Sequence, residues 1–295
     1  MLKYIAIVFI VGFADSLHAQ DDLMSILENS EENTGIEYAS ATFKSTRLVN
    51  GHTTEVRPQG VLEFVISHRF GQINGGVGEL FGLDDSQARF ALEYGVSDRL
   101  NIGFGRSSVG KMLDGFLKYK ILRQSSGSKN VPISLTAFTS MTVATGPSAF
   151  PDPTQTNKFS QRVAYTYQLL AARKINSNFS LQIMPSLVHR NVVNTAAESN
   201  DVVALGIGGR HKLTNRLSFN AEYYLALTEL SAQYYNAFSI GFDIETGGHV
   251  FQLHLTNSRT MVESQFIGAT QGDWGDGGIH FGFNVSRVFN LKSGK

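Results

Sequence analysis

Two histidines near the C-terminus are the residues best suited to hold a metal. His254 and His280 fall on the polar side of alternating segments, and pairing those segments as a hairpin sets the imidazoles diagonally across from each other. Neutral imidazole is the commonest metal ligand, so such a pair can bind a metal or a haem iron. The plainer reading, adopted for both, is an ordinary polar side chain on an inner wall, with no metal and no cofactor. Ser67, His68 and Glu63 bring a hydroxyl, an imidazole and a carboxylate into one stretch, the ingredients of a lipid-acting hydrolase. No spacing singles them out from other sets that can be assembled, and no catalytic residue is assigned. Gly272-Asp-Trp-Gly-Asp-Gly-Gly278 holds two carboxylates but lacks the spaced ligand series of a calcium loop, and it reads as a glycine-rich external loop. Nucleotide-binding glycine motifs, HExxH and CxxC are absent. With 25 Lys+Arg against 25 Asp+Glu and no basic cluster, nothing suits a nucleic-acid partner. The expectation is a protein that is not an enzyme.

The elements that position these residues repeat along the chain. Val96-Ser-Asp-Arg-Leu-Asn-Ile102, Ile175-Asn-Ser-Asn-Phe-Ser-Leu181 and Leu213-Thr-Asn-Arg-Leu-Ser-Phe219 each run from small turn-forming residues into alternation. They fall on a period of about 38 to 40 residues, with one member skipped near position 135. A unit of that length holds two strands of about ten residues, one tight turn and one longer loop. From Gly60 the chain divides into twelve alternating segments, at 60–70, 87–95, 99–106, 114–123, 131–143, 162–173, 178–190, 202–212, 216–227, 237–245, 249–258 and 278–289. The fold expected is all-β, an up-and-down antiparallel transmembrane barrel.

The faces of those strands assign inside and outside. Leu62, Phe64, Ile66 and Phe70 oppose Glu63, Ser67 and Arg69, and Ala88, Phe90, Leu92 and Tyr94 oppose Arg89 and Glu93. Leu117, Tyr119 and Ile121 oppose Lys118 and Lys120 in the same manner. Twelve strands enclose a lumen wider than side chains can fill, since about eight already suffice for a packed interior. The apolar face therefore points to lipid and the polar one inward. Ten residues at about 3.3 Å, tilted by about 40°, rise roughly 25 Å, the height of an outer-membrane apolar band. Tight turns near 97, 127, 176, 214 and 247 alternate with longer stretches at 71–86, 106–113, 144–161, 191–201, 228–236 and 259–277. Phe70, Tyr94, Tyr119, Tyr165, Tyr167, Tyr223 and Tyr224 suit aromatic girdles at the interfaces.

Ahead of the barrel, Lys3, an apolar run from Tyr4 to Phe13 and Leu17-His-Ala19 read as a secretory signal peptide over 1–19. Residues 20–59 form a periplasmic or luminal segment that begins with an acidic, helix-like stretch at 21–33, and 60–295 form the barrel. The polar run Thr42 to Glu55 is expected to fold back into the lumen as a plug carrying Lys44, Arg47, His52 and Glu55.

Phe43-Lys-Ser-Thr-Arg-Leu-Val-Asn-Gly-His52, Ile66-Ser-His-Arg-Phe-Gly71, Phe81-Gly-Leu-Asp-Asp85 and Leu92-Glu-Tyr-Gly-Val-Ser-Asp-Arg-Leu100 resemble the β-barrel family called domain of unknown function 5777, typical of bacteroidete outer membranes. The resemblance is strongest over about 42–122. It implies an outer-membrane location, in contact with outer-membrane lipid, and brings neither substrate nor catalytic residue.

The function expected from these residues is porin-like passage of small polar solutes. Glu63, Arg69, Arg89, Glu93, Lys118, Lys120, Arg210, Glu222, Asp243 and Glu245 would line the lumen with both signs of charge, which favours polar or zwitterionic solutes over a strongly ion-selective flux. A plugged structural or ligand-binding barrel is the rival, and a lipid-acting barrel enzyme ranks third.

Overall fold

In the computed structural model, residues 35–146, 158–193, 195, 196 and 198–291 are described. The expected signal peptide and the helix-like stretch at 21–33 lie outside them. Among the described residues, one small unit contains the strands β1 (Ile36–Tyr38) and β6 (Ser125–Gly127), paired antiparallel with Ile36 opposite Gly127.

The other unit is the barrel. Its strands are β2 (Val61–Gln72), β3 (Ser86–Gly95), β4 (Leu100–Ser107), β5 (Met112–Leu122), β7 (Ser134–Ala144), β8 (Val163–Lys174), β9 (Phe179–Arg190), β10 (Asp201–Lys212), β11 (Leu217–Ala226), β12 (Ala237–Thr246), β13 (His249–Thr256) and β14 (His280–Asn290). Each pairs antiparallel with its neighbours in sequence, and β14 closes on β2 with Phe283 opposite His68. All twelve expected strands are present. Closure leaves no edge, which is what lets a sheet cross lipid with every ladder satisfied. The β8–β9 ladder steps from Gln168–Ser186 to Ala171–Ile183, skipping the register of Pro185, which has no N–H to give.

The side-chain distribution is inside-out relative to a water-soluble protein. Phe104 is 56% exposed and Ile183 and Tyr167 are 50% exposed on the outer face, whereas Glu63 and Lys118 inside are 0% exposed. An apolar belt around a charged interior is the pattern a lipid environment selects.

The connections differ from expectation at two places. The stretch expected to be long at 106–113 is a brief turn over 108–111, with Gly110 at positive φ, because β4 and β5 extend further than the alternation suggested. The turn near 127 is instead the longer connection 123–133. One rim thus carries the turns 96–99, 175–178, 213–216 and 247–248, and the opposite rim carries 73–85, 108–111, 227–236 and 257–279 together with the described residues 145, 146, 158–162, 191–193, 195, 196 and 198–200.

The interior is also less uniform than the alternation implied. Phe116, Phe138, Leu170, Met184, Val188, Val202, Ala204, Tyr224 and Ala237 face inward and form a buried apolar cluster. Tyr224, expected at a girdle, is fully buried inside, and its neighbour Tyr223 faces out.

Candidate functional site

The lumen is filled from both rims. From the short-turn rim, the segment after β1 passes Gln124, whose carbonyl accepts the Ala39 N–H at 2.9 Å, and Arg210, whose Nη1 donates to the Ala41 carbonyl at 3.1 Å. It turns back at Leu48-Val49-Asn50-Gly51 and returns to the same rim at Gly60, whose N–H reaches the Gly95 carbonyl at 2.8 Å. Leu48 N–H to Gly51 O at 2.8 Å, Thr53 N–H to Thr46 O at 2.9 Å and the bridge Arg47–His52 make it a luminal hairpin. Thr42, Phe43, Ser45 to Asn50 and His52 to Thr54 are all buried.

The barrel wall holds this hairpin by its backbone. Glu222 accepts the N–H groups of Val49, Asn50 and Gly51 at 3.3, 2.7 and 3.1 Å. Gln252 donates to the carbonyls of Arg47 and Leu48, and Asn284 to that of Val49. Gln182 accepts from Thr54 N–H and donates to His52 O. Buried backbone groups must be paired, and here the inward polar residues of the barrel replace a β-ladder partner. The Asn50 amide donates to Ser239 and accepts from Arg69 Nη2 at 2.6 Å. Glu63 binds Thr46 and grips Arg57 through two contacts of 2.8 and 2.9 Å. The tip fits because the wall is carved to receive it. A Cβ on Gly208 would collide with Leu48 Cδ2, and one on Gly51 would collide with Tyr224 Oη.

From the long-connection rim, the stretch after β13 dips into the lumen and forms the short helix α1 (Glu263–Phe266). Met261, Val262, Phe266 and Ile267 are buried, with Phe266 against the inner apolar cluster and edge-on to Tyr224 at 5.1 Å. The two plugging elements meet in the middle. Arg47 Nη1 donates to Glu263 Oε1 at 2.8 Å, and both side chains are buried. His52 Nε2 lies 3.6 Å from the same oxygen, and its ring packs 4.6 and 4.5 Å from Phe116 and Phe138. Burial, reinforced by Arg47, Lys118 and Arg89, holds the His52 pKa well below the ordinary histidine value. Burial raises the Glu263 carboxyl, and Arg47 and Arg89 oppose that rise.

Each sequence-assigned residue has a definite place. Glu63, Arg69, Arg89, Glu93, Lys118, Arg210, Glu222 and Asp243 are buried inside, and Lys120 and Glu245 sit half-buried toward the short-turn rim. Lys44 pairs with Glu245, Lys120 lies 3.9 Å from Glu55, and Lys118 lies 3.5 Å from Glu93. Arg89 pairs with Asp114, Nε to Oδ1 at 3.0 Å. Asp114 shares the inward face with Lys118, so the alternation that located Lys118 also marks it. Glu263 carries no such mark, because its segment has no period.

The chemical sets fare differently. On β2, Ser67 and Glu63 point inward while His68 points out, stacked 4.9 Å from Phe283, so these three residues make no catalytic set. Arg69, next to His68, points inward and is buried beside Asn50. His254 and His280 are both inward, and His280 Nδ1 is 2.8 Å from the Phe70 carbonyl. Among the described residues no three His, Cys, Asp or Glu side chains gather as a metal site. In the stretch Gly272–Gly278, Asp273 and Asp276 accept the N–H groups of Gly275 and Gly278, and Trp274 Nε1 donates to the Phe238 carbonyl, so the loop is tied to the barrel.

No curated protein matches the chain. Solved structures with similar folds include a NanC porin, with a TM-score of 0.48 and 6% identity over 77% of this chain and 98% of that one. An outer-membrane channel from Pseudomonas putida F1 gives 0.46 and 15% identity over 80% of this chain and 98% of that one. A mutant of the Rh. blastica porin gives 0.33 and 14% identity over 69% of this chain and 55% of that one. The sequence comparison is more direct: the model of domain of unknown function 5777, described as a membrane-bound β-barrel domain, matches residues 43–289, and the chain belongs to that family.

Proposed function

We propose that this protein is an outer-membrane channel for small polar solutes that rests shut, with the luminal hairpin as its movable stopper; it is not an enzyme and has no nucleic-acid partner. The observation that carries this reading is the way the hairpin is held. It enters and leaves by one rim, joins no barrel ladder, and is bound to the wall by polar contacts. Each of those contacts can be exchanged for water, so the hairpin can withdraw without opening the barrel. The wall it leaves is a mixed-charge lining that water and polar solutes can wet.

The test is to replace residues 42–55 by a short Gly-Ser linker and record single channels in planar bilayers. Retained heat-modifiable mobility on gels shows that the barrel is folded. Discrete conductance steps are expected from the shortened chain and rare or no steps from the full one. A folded but silent barrel would favour a permanently plugged barrel that serves structure or ligand binding. The apolar docking of α1, which owes little to the hairpin, is the feature that supports that second reading.

A further inference from the structure

At the long-connection rim, above α1, lies a cavity of about 920 Å³. Of the charged groups on its wall, Glu79 is exposed and three others are satisfied. Arg259 pairs with Asp85 at 2.6 Å, and Arg162 Nη1 donates to the carbonyls of Ala144 and Gly146. Arg190 and Glu198 are the exception. Both line the cavity and both are buried, with side chains 11% and 2% exposed. Yet their closest approach, Nη1 to Oε2, is 4.0 Å, too long for a hydrogen bond. Arg190 Nε and Glu198 Oε2 have no hydrogen-bond partner among the described residues, and Glu198 Oε1 has only long contacts of 3.5 Å with Thr195 and Gln233.

Two opposite charges held out of water, side by side and each incompletely paired, are a costly arrangement unless a ligand completes them. A carboxylate fits the fork of Arg190, and an ammonium group fits the free oxygen of Glu198. Charged groups 4.0 Å apart can both be reached by one small ligand whose own two charges are close together, as in an α-amino acid, where ammonium and carboxylate share one carbon. We propose that this cavity is a binding site for zwitterionic α-amino acids, with Arg190 taking the carboxylate and Glu198 the ammonium. Gln265, one of its lining residues, belongs to α1, the element whose Glu263 holds the hairpin through Arg47. An occupied site therefore abuts the joint of the plug. As the entry site of a channel this rests on the function proposed above, but as a binding site it stands by itself.

The full chain in detergent micelles is titrated calorimetrically with L-glutamine and glycine, and with N-acetyl-L-glutamine, L-glutamine amide and glucose as controls. Binding of at least one free amino acid is expected, at least tenfold weaker once either its ammonium or its carboxylate is blocked, and absent for glucose. Arg190→Gln and Glu198→Gln should each weaken it at least tenfold, with heat-modifiable mobility showing that both variants keep the barrel. In Glu198→Gln the penalty for N-acetylation should vanish. Failure of both amino acids to bind at 10 mM, equal binding of the blocked analogues, or unchanged binding in both variants overturns the site. Charge-dependent binding combined with a silent hairpin-deleted barrel keeps the site and removes the channel. Conductance without binding does the reverse.

Discussion

The two elements that close the lumen are held by opposite means. The hairpin is fixed mainly by hydrogen bonds and ion pairs, with Phe43 and Leu48 packed in a small cluster with Ala172 and the His52 ring against Phe116 and Phe138. The α1 stretch is fixed by Phe266 and Ile267 in the inner apolar cluster, with few polar ties such as Ser264 to Thr142 at 3.1 Å. A polar contact exchanged for water loses about 0.5 to 1.5 kcal/mol, whereas exposing a buried Phe or Ile costs about 1.5 to 3 kcal/mol with no compensating partner. The lumen is thus built with one element that water can replace and one that it cannot, joined at Arg47 and Glu263.

The largest expected effect tests that joint. Arg47→Ala leaves Glu263 buried without its cation and should weaken closure by about 3 to 5 kcal/mol, read as faster amide exchange over residues 42–55. Replacing both partners, as Arg47→Met with Glu263→Met, should restore slow exchange, because a well-packed apolar pair can match a buried ion pair. If the double variant exchanges as fast as the single one, the pair contributes more than charge compensation. On the other side of the comparison, Phe266→Ala should cost about 3 to 5 kcal/mol in the docking of α1, with increased exchange over 261–267. No paired substitution in the hairpin should rescue it, which separates packing from charge.

A smaller effect tests the fit of the tip. Gly51→Ala places a methyl in contact with Tyr224 Oη without removing any polar partner, and overpacking of this kind costs about 1 to 3 kcal/mol. It should loosen residues 48–51 while leaving α1 protected. If both elements loosen together, hairpin and α1 form one unit and the contrast drawn between them fails.

The barrel was legible in the sequence because strand pairing imposes a period of two that survives into the structure. Phe90 against Arg89, or Leu117 against Lys118, already states which side is lipid. That the Thr42–Glu55 run is too polar for lipid was equally plain from its residues. Its partners were not, since nothing in the spacing of Glu222, Gln252 and Asn284 says that they will bind the backbone of residues 47–51. The inward apolar patch was hidden for a related reason. On β9 and β10, Met184, Val188, Val202 and Ala204 face in while Ile183, Leu187, Val203 and Ile207 face out, so apolar residues stand on both faces and the alternation does not reveal the inner patch. That patch is where α1 docks, so the element least visible in the sequence packs on the wall least visible in it.

The smallest expected effect is on pH, and His52 sets its sign. In the closed lumen its ring lies between Phe116 and Phe138, and burial, followed by the charges of Arg47, Lys118 and Arg89, keeps its pKa well below normal. With the hairpin withdrawn into water, the same ring returns to an ordinary value of about 6.5. Below that value the withdrawn state binds the extra proton and the closed state does not. Stability of closure is therefore complete above about pH 6.5 and declines as pH falls toward the depressed value, by at most about 1.4 kcal/mol per pH unit. Between pH 7.5 and 5.5, open probability in planar bilayers should rise by up to about tenfold, about twofold in the upper unit and the rest in the lower. His52→Gln should flatten that response while leaving Arg47 and Glu263 in place. A slope that persists in His52→Gln belongs to the buried carboxyls that hold the hairpin, Glu263 through Arg47 or Glu222 through the backbone of 49–51.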